Sequence, residues 1–141
     1  MHEILVIGGG AAGLTAGMFG RMRKMSVVVV DAGRLGGQLV SLYGDKPVHD
    51  WPGQANVIAA GLADTLIGHA RELGVELLER LKVTALAPGP DGGYTATAVH
   101  RDTREERAFE ARAVIVAIGG GAFEPRHLRV PGEDGLDEDQ L

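Results

Sequence analysis

The stretch "VIGGGAAGL", residues 6–14, decides the fold. It joins an apolar run, "EILVI" (3–7), to a run of helical periodicity, "AAGLTAGMFGRMRK" (11–24). A short, almost wholly apolar run suits a parallel strand buried on both faces. In the helical run, Leu14, Met18 and Met22 recur at i, i+4 and i+8 on one face. Arg21, Arg23 and Lys24 crowd the last turn, where cations complement the helix dipole. Gly13, Gly17 and Gly20 lower the intrinsic helicity, so packing must hold this helix. "VVVV" (27–30) supplies a second buried strand, ended by Asp31. Together these make a βαβ unit of about 30 residues.

Gly8, Gly10 and Gly13 stand in the spacing G-x-G-x-x-G between that strand and helix. Gly8 permits the tight turn, Gly10 lets backbone approach a pyrophosphate, and Gly13 lets helix and strand pack closely. The helix start, with Ala11 and Ala12, offers N–H donors and a positive partial charge to phosphates. Asp31 lies 18 residues past Gly13, at the end of the second strand, where a carboxylate can accept both ribose hydroxyls. The pattern predicts a dinucleotide-binding α/β domain. By itself it fits NAD and the ADP half of FAD equally.

Beyond Asp31 the pattern departs from a plain nucleotide-binding repeat. Residues 33–55 read as a long polar loop, and a helix is expected over 56–73, with Ile58, Leu62, Leu66 and Leu73 among its apolar positions. "VELLE" (75–79) reads as a third strand. "KVTALAP", "GYTATAV" and "RAFEA" read as a small antiparallel meander, with "DGG" as its strongest hairpin signal. "AVIVAI" (113–118) then returns to a separate buried strand that ends in three glycines.

Composition narrows the function classes. At 141 residues one core is expected. The 22 glycines are about twice the usual share of roughly 7%, which suits tight turns and close backbone approach to a ligand. Fourteen basic and 19 acidic residues give a net charge of −5, and five of the acids lie in the last nine residues. The remainder is neutral, which argues against a nucleic-acid face. Without cysteine, disulfides, thiol catalysis and thiolate-bound zinc are excluded for this chain. The five histidines have no metal-ligand spacing, and no Ser/His/Asp set stands out, so neither a metal site nor a catalytic side chain is expected. "MHEILVI" does not read as a signal peptide, and no apolar stretch approaches the roughly 20 residues of a membrane span. A cytoplasmic protein is the expectation.

Three features favour FAD over a nicotinamide cofactor. They are the glycine-rich excursion 33–53 directly after the ribose acid, the inserted meander, and the glycine turn in "VIVAIGGGAFEP" (114–125). With "GGQL" (36–39), "DWPG" (50–53), Tyr43 just after "GGQLVSL", and "GAFEPR" (121–126), the sequence resembles a known family. It is similar to the N-terminal part of the two-dinucleotide-binding-domain flavoproteins of the thioredoxin-reductase group. Within that group it most resembles the thioredoxin-reductase-like ferredoxin/flavodoxin–NADP reductases. The similarity covers roughly residues 1–132.

The resemblance implies an α/β, Rossmann-like FAD-binding domain with a parallel sheet and a small three-stranded antiparallel meander. It spans 1–125, followed by an acidic linker or tail at 126–141. It implies that Asp31 holds the adenosine ribose, although the family more often has Glu there. Gln38 would hydrogen-bond the ribityl chain or ring edge, and Tyr43 would lie against the isoalloxazine. Val83 would meet adenine through its backbone, and Phe123 and Pro125 would line the flavin pocket. Ala32, Gly37, Leu39, Ala117 and Gly119 would lie along the cofactor. Trp51 is expected to anchor its loop.

For the parent enzyme the resemblance implies NADPH as co-substrate, not bound by this chain, and ferredoxin or flavodoxin as electron acceptor. A homodimer is left open. In the family a second, NADPH-binding unit is inserted after the region that "VPGEDG" resembles, and the chain then returns to complete the flavin site. This sequence carries one G-x-G-x-x-G, so it is read as the FAD-binding portion and is expected to be inactive alone. A thioredoxin-reductase-like enzyme with another acceptor, or a stand-alone FAD- or nucleotide-binding module, are the alternatives.

Overall fold

Four valines in a row can all be buried only if both faces of their strand are covered, because successive side chains point to opposite sides. The computed structural model, which describes residues 1–121, shows how this is done. In chain order the elements are β1 (His2–Ile7), α1 (Ala11–Met22), β2 (Val27–Val30), α2 (Gln38–Ser41), β3 (Pro47–Val48) and β4 (Val57–Ile58). There follow α3 (Ala59–Glu72), β5 (Glu76–Leu78), β6 (Leu81–Pro88), β7 (Tyr94–His100) and β8 (Glu106–Val116). One six-stranded sheet runs β5-β2-β1-β8-β7-β6, and β3 pairs with β4 in a separate ribbon. The expected Rossmann-like α/β fold with its antiparallel meander is present.

On the first face, Val27 and Val29 of β2 and Val6 of β1 pack with Leu14 and Met18 of α1 and with Leu62 and Leu66 of α3. The glycines of α1 explain themselves here. A Cβ on Gly17 would stand 2.9 Å from Val29 Cγ2, and one on Gly20 would stand 2.8 Å from Val27 Cγ2. The helix therefore lies close against the sheet, and packing offsets the low propensity of its glycines. On the second face, Leu5, Val28 and Val30 meet Leu81, Ala96, Ala98, Phe109 and Ala111. The antiparallel strands thus curl over the parallel ones as a second cover, and the alanines let them come near.

Several expected boundaries shift. "RAFEA" and "AVIVAI" are one strand, not two. The first half of β8 (106–111) pairs antiparallel with β7, and its second half (111–116) pairs parallel with β1. Only Arg112 separates the two runs, and with no Gly or Pro between them nothing stops the strand. The 33–55 segment is not a plain loop, since it holds α2 and β3. The helix expected from 56 begins at Ala59, because Asn56 is left-handed (φ 59°) and Val57–Ile58 pair with Pro47–Val48. The first helix ends at Met22, where Lys24 turns left-handed (φ 64°) and Met25 N–H donates to Gly20 O at 3.1 Å. The strand expected over 75–79 is β5, parallel to β2. The "DGG" hairpin closes as expected, with Asp91 and Gly92 both at positive φ and Gly89 N–H donating to Gly93 O at 2.8 Å.

Among the described residues, the second half of β8 has β1 on one side and no strand on the other. Val116 (62% exposed) and Ile118 (52%) lie at this end of the sheet. No helix of the described residues is long and apolar enough to cross a membrane.

Candidate dinucleotide-binding site

The carboxyl ends of β1 and β2 and the amino end of α1 meet at the glycine turn. Gly8 leaves β1 at φ +109°, and its N–H donates to Val30 O at 2.8 Å. A Cβ there would lie 2.3 Å from Ala117 O, so the turn is squeezed against the strand that carries residues 106–116. Gly13 is tighter still, since its Cβ would lie 1.8 Å from Gly8 O. Gly10 differs from both. Among the described residues, a Cβ there would meet nothing within 4 Å. The first and third glycines are thus filled by protein, while the middle one faces open space at the head of α1.

Gly10 is the N-cap of α1, and no side chain of the described residues caps the helix. The first N–H groups of a helix have no carbonyl of their own turn to bind, so Ala11, Ala12 and Gly13 present donors and a positive partial charge beside that opening. A pyrophosphate fits this cradle chemically.

Asp31 sits at the end of β2 with its carboxylate folded over the turn. Its Oδ2 accepts from Gly9 N–H at 2.6 Å, and its Oδ1 accepts from Gly33 N–H at 2.7 Å. Each oxygen keeps further acceptor capacity, because a carboxylate has about four lone-pair sites. Ala32, half-buried, follows within the same loop. Backbone bonds clamp the acid from behind: its N–H donates to Leu78 O, and its carbonyl accepts from Leu81 N–H, both at 2.8 Å.

The 36–43 segment closes the other side. Gly37 (φ +54°) comes so close to the turn that a Cβ on it would be 3.0 Å from Gly10 Cα. Gln38 is exposed, and its amide Nε2 reaches toward the turn after β8, 3.3 Å from where a Cβ on Gly120 would stand and 3.9 Å from one on Gly119. That turn is closed by Gly121 N–H donating to Ile118 O at 2.9 Å, and it is tied to β1 by Ala117 N–H donating to Ile7 O at 2.7 Å.

Gly8, Gly10, Ala11, Ala12, Gly13, Asp31, Gly37, Gln38, Ala117 and Gly119 therefore gather around one opening. The other expected site residues are described by their own contacts. Leu39 packs against the α1–α3 core, and Val83, opposite Ala98 on β6, packs against the second cluster. Tyr43 is 50% exposed just beyond α2, its N–H donating to Gln38 O at 3.1 Å. Trp51 packs against the first cluster, as a loop anchor should. Phe123 and Pro125 lie outside the described residues.

Gly9, Leu35, Gly36 and Glu79 join these residues around the turn only in the folded structure. Leu35 is the lone large apolar residue in "DAGRLGGQ" (31–38), and that isolation was the available signal of its burial. Away from the opening, Arg80 and Asp102 form a bidentate pair between the β5–β6 and β7–β8 turns. The hydrogen bond from the Arg80 guanidinium holds the exposed Asp102 carboxyl below its ordinary pKa.

The family model for pyridine nucleotide-disulphide oxidoreductases matches residues 2–140. The chain belongs to that family. It is 36% identical over 142 residues to a ferredoxin–NADP reductase of Pediococcus pentosaceus, covering 100% of this chain and 41% of that protein. It is 33% identical over 134 residues to a ferredoxin–NADP reductase of Mesorhizobium japonicum, covering 92% of this chain and 37% of the relative. The chain thus spans about two fifths of the length of these curated relatives. Among solved structures, Lactococcus lactis thioredoxin reductase matches with a TM-score of 0.69 at 24% identity, over 95% of this chain and 40% of that one. The thioredoxin reductase of T. acidophilum matches with a TM-score of 0.69 at 22% identity, over 94% and 39%. At these identities the likeness speaks for the fold.

Proposed function

We propose that this chain is the FAD-binding portion of a flavin-dependent NAD(P)H oxidoreductase that passes electrons to ferredoxin or flavodoxin. The observation that carries the proposal is the open Gly10 cradle between Asp31 and Gln38. A ribose acid lies on one side of the phosphate site and an amide, reaching toward a second glycine turn, on the other. A ligand that uses both anchors extends past its pyrophosphate in both directions, as FAD and NAD(P) both do, and the choice of flavin rests on the likeness to the ferredoxin–NADP reductases. When bound, the flavin supplies the hydride- and electron-carrying chemistry. The chain's own residues bind and orient: α1 faces the phosphates, Asp31 the adenosine ribose, and Gln38 the ribityl chain or ring edge. The ferredoxin–NADP reductase relatives support ferredoxin as acceptor and NADPH as the parent enzyme's co-substrate, with flavodoxin as the other acceptor of this proposal. They also favour this reading over a thioredoxin-reductase-like enzyme with another acceptor, for which the fold alone speaks.

The direct test is to denature the purified, ligand-loaded protein and identify what it releases. FAD is the expected product. Recovery of NAD or NADP without flavin would sink the proposal. A second prediction concerns Tyr43, whose half-exposed ring follows the segment abutting the cradle. If it lies against the isoalloxazine, bound flavin is strongly quenched, and Tyr43→Ala should brighten it. Equal emission from mutant and wild type at saturating flavin would leave Tyr43 as a packing residue only.

A further inference from the structure

We infer that Glu79 is a positioning residue for the phosphate-binding turn, acting through Leu35. The inference rests on the dinucleotide-binding proposal above and adds to it a side chain remote from the fingerprint. Glu79 follows β5 at the surface. Its Oε1 nevertheless accepts from the N–H of Leu35, 44 residues earlier, at 2.7 Å. Leu35 is 4% exposed and belongs to the α1–α3 core.

The bond is part of a cleat. Asp31 N–H donates to Leu78 O (2.8 Å), Arg80 N–H to Gly33 O (2.9 Å), and Leu81 N–H to Asp31 O (2.8 Å). The β5–β6 turn thus grips the 31–35 segment along its length. It is itself held from beyond, where Arg101 N–H donates to Arg80 O at 2.8 Å.

The 33–36 segment in turn shapes the phosphate turn. Leu35 Cδ2 stands 2.6 Å from where a Cβ on Gly9 would be, and Gly36 N–H donates to Gly9 O at 2.8 Å. The Gly9 N–H goes to Asp31 at 2.6 Å. Gly9, between the first two fingerprint glycines, is therefore gripped at its N–H, its carbonyl and its Cα. Two of those three grips come from residues 35 and 36. A charge-assisted bond to the Leu35 N–H holds them in place, and losing it leaves a donor with no acceptor beside a buried side chain. A distorted turn would no longer present Gly10 and the head of α1 to a pyrophosphate.

The experiment compares Glu79→Ala, Glu79→Gln and, as an exposed acid outside the cleat, Glu72→Ala in the full 141-residue chain. Hydrogen exchange at the Leu35 and Gly36 amides is followed by NMR, and FAD and ADP affinities are measured by titration. Glu79→Ala should speed Leu35 exchange and weaken both ligands about tenfold. Glu79→Gln, which keeps an acceptor oxygen, should restore most of both, and Glu72→Ala should change neither. Should the alanine variant not fold, Glu79→Asp withdraws the oxygen by one methylene and gives the same comparison. Unchanged Leu35 exchange in Glu79→Ala overturns the inference. So does faster exchange with unchanged affinity. A wild-type chain that binds neither FAD nor ADP overturns the cofactor proposal and the positioning role with it, whatever Leu35 exchange shows.

Discussion

Gly13→Ala is expected to leave little folded protein. The added Cβ would stand 1.8 Å from Gly8 O, 2.9 Å from Gly8 C and 3.3 Å from Val6 Cγ1. The first two are backbone atoms, which cannot swing aside like the end of a side chain. Gly8 cannot retreat either, because its N–H is bonded to Val30 O and its Cα already lies against Ala117. Relief therefore requires α1 to lift off β1, which opens the cluster containing Val6, Leu14 and Met18. Overpacking of this kind costs about 3 kcal/mol or more, a large part of the roughly 5–15 kcal/mol that holds a domain together. Urea denaturation checks it, with Gly68→Ala as the comparison. Gly68 lies within α3, and among the described residues a Cβ there meets nothing within 4 Å. Alanine at that site should stabilise by about 0.5–1 kcal/mol. Equal midpoints for the two variants would refute the close approach at Gly13.

Asp31→Ala should act twice, on stability and on binding. Its carboxylate accepts from Gly9 and Gly33, and bonds to a charged acceptor contribute about 1.5–3 kcal/mol each. Asp31 is half-buried, so water screens and partly replaces these bonds, and a loss of about 2–3 kcal/mol is expected. FAD affinity should fall by about ten- to a hundredfold, since the variant lacks the ribose acceptor and loosens the turn under the pyrophosphate. Asp31→Asn keeps one acceptor oxygen and should lie between. Lowered stability with unchanged FAD affinity would make Asp31 a clasp for the turn and remove it from the cofactor. If neither quantity moves, both roles fall.

The sequence by itself determined the βαβ unit, the glycine turn and the acid at the end of β2. These depend on neighbours in the chain: apolar runs that need cover on both sides, helical spacing at Leu14 and Met18, and glycines at three close positions. Met22, expected on the same face, is instead 60% exposed at the end of the helix. It also showed that Gly17 and Gly20 must be excused by packing, but not by what. Only the tertiary structure supplied Val29 and Val27 as the reason. It decided as well that one strand, β8, serves both the meander and the parallel sheet, a choice made by which neighbours its two halves meet. The curl of β6 and β7 over Leu5, Val28 and Val30 leaves no periodic trace, because alanines at 96 and 98 read alike in or out of a core. Least legible of all were the contacts across long stretches of chain. Gln38 reaches toward the turn after β8, and Glu79 bonds Leu35 across 44 residues. A single surface carboxylate carries no pattern that tells a solvated acid from one gripping a backbone N–H. That distinction arises only when the chain has folded and brought the donor within 2.7 Å.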